Sequence, residues 1–284
     1  LISKALNEHL ESVLGEKIIS VNPLSGGDIN EVYRLGTASE DYVVKLNKSN
    51  LLPGLFRYEK QGLEAIEATK SLRTPRPVAT GDFDGSSFLL LSYIEPGNAN
   101  RFSWENFGSL LAQMHRNTFD EFGFFSDNYI GSLPQQNTGC SSAVEFHISQ
   151  RLEPQIKLAG KKGYVFKDTD VFYRELENQI PEEPPALIHG DLWSGNYLID
   201  KNGEPCLIDP AVSYSHREAD IAMMRLFGGF PQQVFDTYHE HYNLEKGWQE
   251  RSDIWQLYYL LVHLNLFGAS YLPAVSAIIK KYAS

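Results

Sequence analysis

The sequence predicts an α/β (α+β) chain in two lobes, a small one built on an antiparallel sheet and a larger, mainly helical one. Three observations predict it. Short runs of β-branched and aromatic residues, separated by turn residues, crowd the stretch up to Tyr93. An apolar strand then gives way to Glu95-Pro96-Gly97, which marks a boundary between a unit at 1–94 and a unit at 95–284. Beyond it, apolar residues recur at helical spacing.

Taken in order, Ile2, Leu6, Leu10, Val13 and Leu14 predict an amphipathic helix over 2–15. Strands are expected at 17–24 and 31–35, joined by Ser25-Gly26-Gly27-Asp28-Ile29-Asn30. A glycine turn between two strands either closes a plain hairpin or lets backbone N–H groups approach phosphates. Asp28 would repel phosphates, so its side chain is expected to point away or to cap the turn. Tyr42-Val43-Val44-Lys45-Leu46 is a third strand whose one lysine either faces water on an edge or faces nucleotide phosphates, held by a carboxylate. Phe56, Leu63 and Ile66 predict the following helix, with Glu59 placed to reach inward. Strands at 78–81 and 87–93 complete the sheet, with a turn at Asp84-Gly85. Ser92, Tyr93 and Ile94 then sit at the hinge, where backbone groups would meet an adenine edge.

Past the boundary, Phe107, Leu110, Leu111 and Met114 predict a helix, with His115 at its end as a structural residue. Residues 119–140 read as a long irregular loop of the kind that lines a site. Ser142 and Glu145 form a capping-box pattern for a helix running through Phe146 and Leu152. Val171, Phe172, Leu176 and Ile180 mark another, and Ile221, Met224 and Phe227 a third with Asp220 near its start. The aromatics Trp248, Trp255, Tyr258 and Tyr259 are expected in the core, with one or two reaching a cleft.

The bulk properties narrow the function. A chain of 284 residues can bury a sizeable core, and 36 acidic against 25 basic residues leave a net charge of −11. That argues against a nucleic-acid or anionic-membrane partner, so a polyanionic ligand must be held by a few placed cations and by metal. Cys140 and Cys206 lack CxxC spacing, giving no zinc site and favouring a reducing, cytoplasmic setting. No apolar run approaches the length of a membrane span.

The chemistry concentrates in His189-Gly190-Asp191-Leu192-Trp193-Ser194-Gly195-Asn196, closed by Ile208-Asp209-Pro210. Asn196 follows Asp191 by five positions and precedes Asp209 by thirteen. Phosphoryl transfer uses one carboxylate aimed at the acceptor hydroxyl, plus an Asn and an Asp that hold Mg²⁺ on nucleotide phosphates. Leu187-Ile188, the Asn202-Gly203 turn and the apolar run 205–208 predict two short strands in a hairpin presenting these groups. A surface hairpin rich in turn residues would have no need of the spacing.

These residues resemble the fructosamine kinase (ketosamine-3-kinase) family, within the protein-kinase-like small-molecule kinases. The likeness extends over nearly the whole chain and includes Gly26-Gly27, Val44-Lys45, Phe56 to Glu59, Phe122-Gly123-Phe124, Arg217 to Asp220, Phe227 to Phe230 and His263 to Gly268. The HGDxxxxN core is common to the superfamily, whereas the Trp-Ser-Gly insert and Asp209-Pro210-Ala211 narrow it to ketosamine kinases.

The resemblance implies a protein-kinase-like two-lobed fold that uses ATP and Mg²⁺. It implies that Asp191 orients or accepts the hydroxyl proton, that Asn196 and Asp209 bind Mg²⁺, and that Lys45, supported by Glu59, holds the phosphates. Gly26 and Gly27 would cover the nucleotide, Ser92, Tyr93 and Ile94 would contact adenine, and Trp193 would meet the substrate. His189 and Asp220 would support the catalytic loop from below. The implied substrate is a ketosamine, as a small molecule or on a glycated protein lysine, phosphorylated on a sugar hydroxyl at the 3-position. Asp28 stands where many members carry a redox-active Cys, so no thiol switch is expected there. The rival readings are a kinase for another alcohol, of choline or aminoglycoside type, and an inactive nucleotide-binding scaffold.

Overall fold

Strand alternation decides which way the residues of the N-terminal sheet point. In the computed structural model, which describes residues 2–24 and 29–283, five antiparallel strands lie in the order β1-β2-β3-β5-β4. They are β1 (Ser20–Pro23), β2 (Glu31–Gly36), β3 (Asp41–Lys48), β4 (Pro77–Phe83) and β5 (Ser86–Ser92). Helix α1 (Lys4–Leu14) lays Leu6 and Leu10 on the face formed by Tyr33, Leu35, Val44, Leu46, Phe88 and Leu90. Helix α2 (Leu55–Ala68) lays Phe56 and Leu63 on the other, against Val43, Leu89 and Leu91. Because side chains alternate along a strand, Lys45 shares the α2 face with Val43. The lysine is thereby buried beneath a helix instead of exposed on an edge.

The chain leaves the sheet and is stitched at once to the hairpin region at 186–215. Gly97 N–H donates to the Ile199 carbonyl at 2.8 Å, and Lys201 N–H donates to the Glu95 carbonyl at 2.9 Å. A Cβ on Gly97 would run into the Asp200 carbonyl, so the close approach requires glycine. On the same hairpin, Leu207 N–H donates to Arg73 O at 2.8 Å and the Arg73 guanidinium meets Asp200 at 2.6 Å.

The remainder is mainly helical. Helix α3 (Arg101–His115) is opened by Asn100, which exchanges hydrogen bonds with Ser103 in a complete capping box. The stretch 119–140 is less irregular than its composition predicts. It contains a small hairpin, β6 (Asn128–Ile130) with β7 (Leu133–Gln135), and Phe122 and Gly123 bridge to Cys140 and Tyr214. Next come α4 (Ala143–Phe146), a π-helical turn (His147–Leu152), α5 (Glu153–Lys161) and α6 (Thr169–Gln179). Ser142 caps α4 as expected, but the Glu145 carboxylate reaches back to the N–H and hydroxyl of Ser141, one residue earlier than a capping box requires.

The segment 186–215 holds two hairpins where the sequence predicts one. Strand β8 (Ala186–Ile188) pairs with β11 (Ser213–Ser215), and nested inside it β9 (Tyr197–Ile199) pairs with β10 (Pro205–Leu207). The Asn202-Gly203 turn joins the inner pair, so Leu187-Ile188 belongs to the outer one. Four helices finish the chain: α7 (Glu218–Phe227), α8 (Gln232–His241), α9 (Ser252–Phe267) and α10 (Leu272–Tyr282). Helix α9 is apolar around most of its circumference and buries Trp255, Tyr258, Leu261 and Leu264 in the core of this lobe. None of the helices among the described residues is long and apolar enough to cross a membrane.

Candidate active site

The loop after β8 is shaped by an anchor beneath it. Asp220, fully buried near the start of α7, accepts the backbone N–H of His189 at 2.7 Å and of Gly190 at 2.9 Å. Burial alone would raise its pKa. Hydrogen bonding from His115 and the backbone N–H of Gly190 hold it below the usual carboxylate range. His115 reaches Asp220 at 3.2 Å and the Tyr238 hydroxyl at 2.8 Å, which gives that histidine its structural use.

His189 ties the two halves of the segment together. Its Nε2–H donates to Ile208 O at 2.9 Å, while Nδ1 accepts the N–H of Asp191 at 3.2 Å. Burial lowers its pKa, consistent with the neutral ring that such a donor–acceptor pattern needs. Gly190 has φ +83°, and a Cβ there would collide with the Ala211 carbonyl.

Above this floor the polar groups meet in one cavity of about 720 Å³, lined by Lys45, Glu59, Asp191, Trp193, Asn196 and Asp209 among others. Asn196 donates its Nδ2 to the carbonyl of Asp191 at 2.8 Å and to its carboxylate at 3.0 Å. Lys45 pairs with Glu59 at 2.7 Å and also with Asp209. Burial would discharge the lysine, but the carboxylates of Asp209 and Glu59 outweigh it and hold the ammonium above its ordinary range. Burial pushes Glu59 up to about 7, opposed by Lys45. Burial likewise pushes Asp191 up to about 7, the Asn196 hydrogen bond opposing and the charges of Asp209 and Asp220 adding to it.

Much of the remaining wall is apolar or aromatic, with Asn30, Asn128 and Ser132 set among it. Met223 and Phe227 of α7, Tyr259, Val262, His263, Leu266 and Phe267 of α9, and Tyr129 and Ile130 of the β6–β7 hairpin contribute to it. Trp193 stands 40% exposed at the rim, and its ring occupies the space that a side chain on Gly195 would need. Of this wall, Tyr259 is a core aromatic that also reaches the cleft; Phe227 and His263 lay in motifs of the resemblance without an assigned use.

The hinge residues stand apart from this cavity. Ser92 N–H donates to Arg76 O and Tyr93 N–H to Asp41 O, at 2.9 and 3.0 Å. Ser92 Oγ accepts Arg76 N–H at 2.9 Å, and the Tyr93 ring lies under the Arg34 guanidinium at 4.2 Å. An adenine edge would therefore find those two N–H groups already engaged. Gly26, Gly27 and Asp28 lie outside the described residues.

The donor set suits Mg²⁺. With Nδ2 committed to Asp191, Asn196 has its amide oxygen left to offer, and Asp209 adds carboxylate oxygen. Two oxygen ligands are what a hard cation needs when nucleotide phosphates and waters complete its shell.

A family model for fructosamine kinase matches residues 2–284. The chain belongs to the fructosamine kinase family. Relatives within and around it agree. A probable ketoamine kinase of Enterococcus faecium is 39% identical over 92% of this chain and 95% of its own. A chloroplastic protein-ribulosamine 3-kinase of Arabidopsis thaliana is 36% identical over 94% of this chain and 83% of its own. A solved structure from Haemophilus somnus, provisionally named a fructosamine-3-kinase, superposes with a TM-score of 0.88 at 28% identity, covering 98% of this chain and 97% of that one. An aminoglycoside phosphotransferase structure matches over the full length of both chains with a TM-score of 0.65 at 14% identity, a likeness of fold alone. The fold is protein-kinase-like, and this fructosamine kinase family member is an ATP-dependent phosphotransferase of ketosamine-kinase type.

Proposed function

We propose that the protein transfers the γ-phosphoryl group of Mg·ATP to the O3 hydroxyl of a ketosamine such as a fructosamine, ribulosamine or erythrulosamine. The carrier amine belongs to a small molecule or to a lysine of a glycated protein. The observation that carries the reading is the convergence of Asp191, Asn196, Asp209 and Lys45 on one cavity whose remaining lining is largely apolar and aromatic.

In this reading Asp191 orients the acceptor hydroxyl and takes its proton, for which a pKa pushed up to about 7 is well placed near neutral pH. Its hydrogen bond to Asn196 fixes the carboxylate's rotation. Asn196 and Asp209 hold Mg²⁺, which when bound neutralises charge on the phosphates. Lys45, kept charged by Glu59 and Asp209, binds the phosphates as a point charge. Trp193 covers the sugar, Gly26 and Gly27 contribute to nucleotide binding, and carbonyls of the 92–94 hinge face adenine between lobes 1–94 and 95–284. His189 and Asp220 hold the loop so that none of this need be organised during turnover.

Incubation with Mg·ATP and a panel of synthetic ketosamines, with mass detection of products and NMR assignment of the phosphorylated carbon, tests the reading. Phosphate on C3 of a ketosamine, with choline and aminoglycosides left unmodified, is the expected result. Phosphorylation of those alcohols in preference to ketosamines would overturn it.

A further inference from the structure

A buried polar relay runs beneath the turn that carries Asp209. The Tyr258 hydroxyl donates to Gln135 Oε1 at 2.6 Å. Gln135 Nε2 donates to Asn128 Oδ1 at 2.8 Å and to the Ala211 carbonyl at 3.1 Å. Asn128 Nδ2 then donates to the Val212 carbonyl at 2.9 Å. All three side chains are buried. The order of donors is forced from the carbonyl end: Ala211 O and Val212 O can only accept, so both amide nitrogens turn toward them, Asn128 presents its oxygen to Gln135 Nε2, and the phenol is left to donate to Gln135 Oε1.

The turn it grips needs gripping. Asp209 has φ +56°, a left-handed conformation that costs a residue with a Cβ and that the hydrogen bonds on its flanks help to keep. From the loop side, Ala211 N–H donates to His189 O at 2.9 Å and His189 Nε2–H holds Ile208 O at 2.9 Å. From the other side, the relay holds the carbonyls of the two residues after Pro210. The backbone on both flanks of Asp209 is thus fixed by groups from separate elements: the catalytic loop, the β6–β7 hairpin and α9.

We propose that Gln135, oriented by Tyr258 and backed by Asn128, is a positioning residue for phosphoryl transfer, aiming the Asp209 carboxylate at the metal–nucleotide. The inference rests on the reading of Asp209 as a Mg²⁺ ligand. Groups that orient a metal ligand without touching the metal cost about 10–100-fold in metal affinity when removed.

Calorimetric titration of the full chain with Mg·ADP, and separately with ADP in EDTA, tests it in Gln135→Met, Tyr258→Phe, the double variant and Asp209→Ala. Gln135→Met is expected to weaken Mg·ADP binding by about tenfold while leaving metal-free ADP binding unchanged. Tyr258→Phe should shift the same titration in the same direction by less. The double variant should match Gln135→Met, because the tyrosine acts through the glutamine. If Gln135→Met does not fold, Tyr258→Phe decides by the same two titrations. Unchanged Mg·ADP affinity in the relay variants, with the affinity lost in Asp209→Ala, overturns the relay and leaves the ligand reading standing. Unchanged affinity in Asp209→Ala overturns both. Equal weakening of Mg·ADP and metal-free ADP marks a merely structural role and also overturns the relay.

Discussion

Asp220 accepts the backbone N–H of Gly190 at 2.9 Å from a position with no solvent exposure. A charged acceptor buried this deeply serves the loop only while it stays ionised and its donors stay in place. The same carboxylate meets His189 N–H and His115, so a single side chain fixes the loop after β8 to helices α3 and α7.

Replacing Asp220 with Ala is expected to leave two buried backbone N–H groups without acceptors and to destabilise the protein by about 3 kcal/mol. Chemical denaturation measures the loss. A change below about 0.5 kcal/mol, the range of an ordinary surface substitution, would show that the anchor is dispensable.

Stability should fall as the solution is acidified from neutrality, partly through His147. Its ring is buried against Trp255, Nε2–H donates to Ile254 O at 3.1 Å, and burial lowers its pKa from 6.5 to about 3. Between those values the unfolded chain binds a proton that the folded chain refuses. Stability is therefore intact above pH 6.5 and declines toward pH 3, by about 1.4 kcal/mol per pH unit for this one group. His147→Gln keeps a donor without the titration and should flatten the plot of unfolding free energy against pH in that window. An unaltered slope would contradict the assignment.

Trp193 and Gly195 compete for one volume, since a Cβ on the glycine would strike the indole ring. Gly195→Ala should push the ring from its place, and Trp193→Ala should remove it. Both are expected to raise KM for a ketosamine by about tenfold, with KM for ATP unchanged, as loss of an aromatic contact to the sugar would. Steady-state kinetics with each substrate varied in turn checks this. Equal shifts for both substrates would count against a contact confined to the sugar.

Much of this architecture was legible in the sequence because its cues are local. The five- and thirteen-residue spacings among Asp191, Asn196 and Asp209 lie in one continuous stretch, and α1 and α2 declare themselves by apolar periodicity. Lys45 and Glu59 could be paired because strand alternation and helical spacing each select a face, and the two faces meet. What stayed hidden depends on partners far apart. Gln135 reads as an ordinary loop glutamine until folding brings it to Ala211 and Tyr258. The pairing of β8 with β11 is equally opaque, since Leu187-Ile188 would suit either neighbour and only the long-range register decides. The hinge reading of Ser92 and Tyr93 shows the opposite limit. Sequence supplied the bend, but Arg76 and Asp41, which occupy their N–H groups, came only with the sheet.

In the proposed reaction Asp191 drives ketosamine phosphorylation without being needed for fold or nucleotide binding. ADP release from Mg·ATP and a ketosamine, compared between the wild-type chain and Asp191→Asn alongside Mg·ADP calorimetry, separates that role from the alternatives. Turnover is expected to fall at least about a hundredfold in Asp191→Asn, with nucleotide affinity and thermal stability retained. Turnover close to wild type in a folded, nucleotide-binding variant would contradict it.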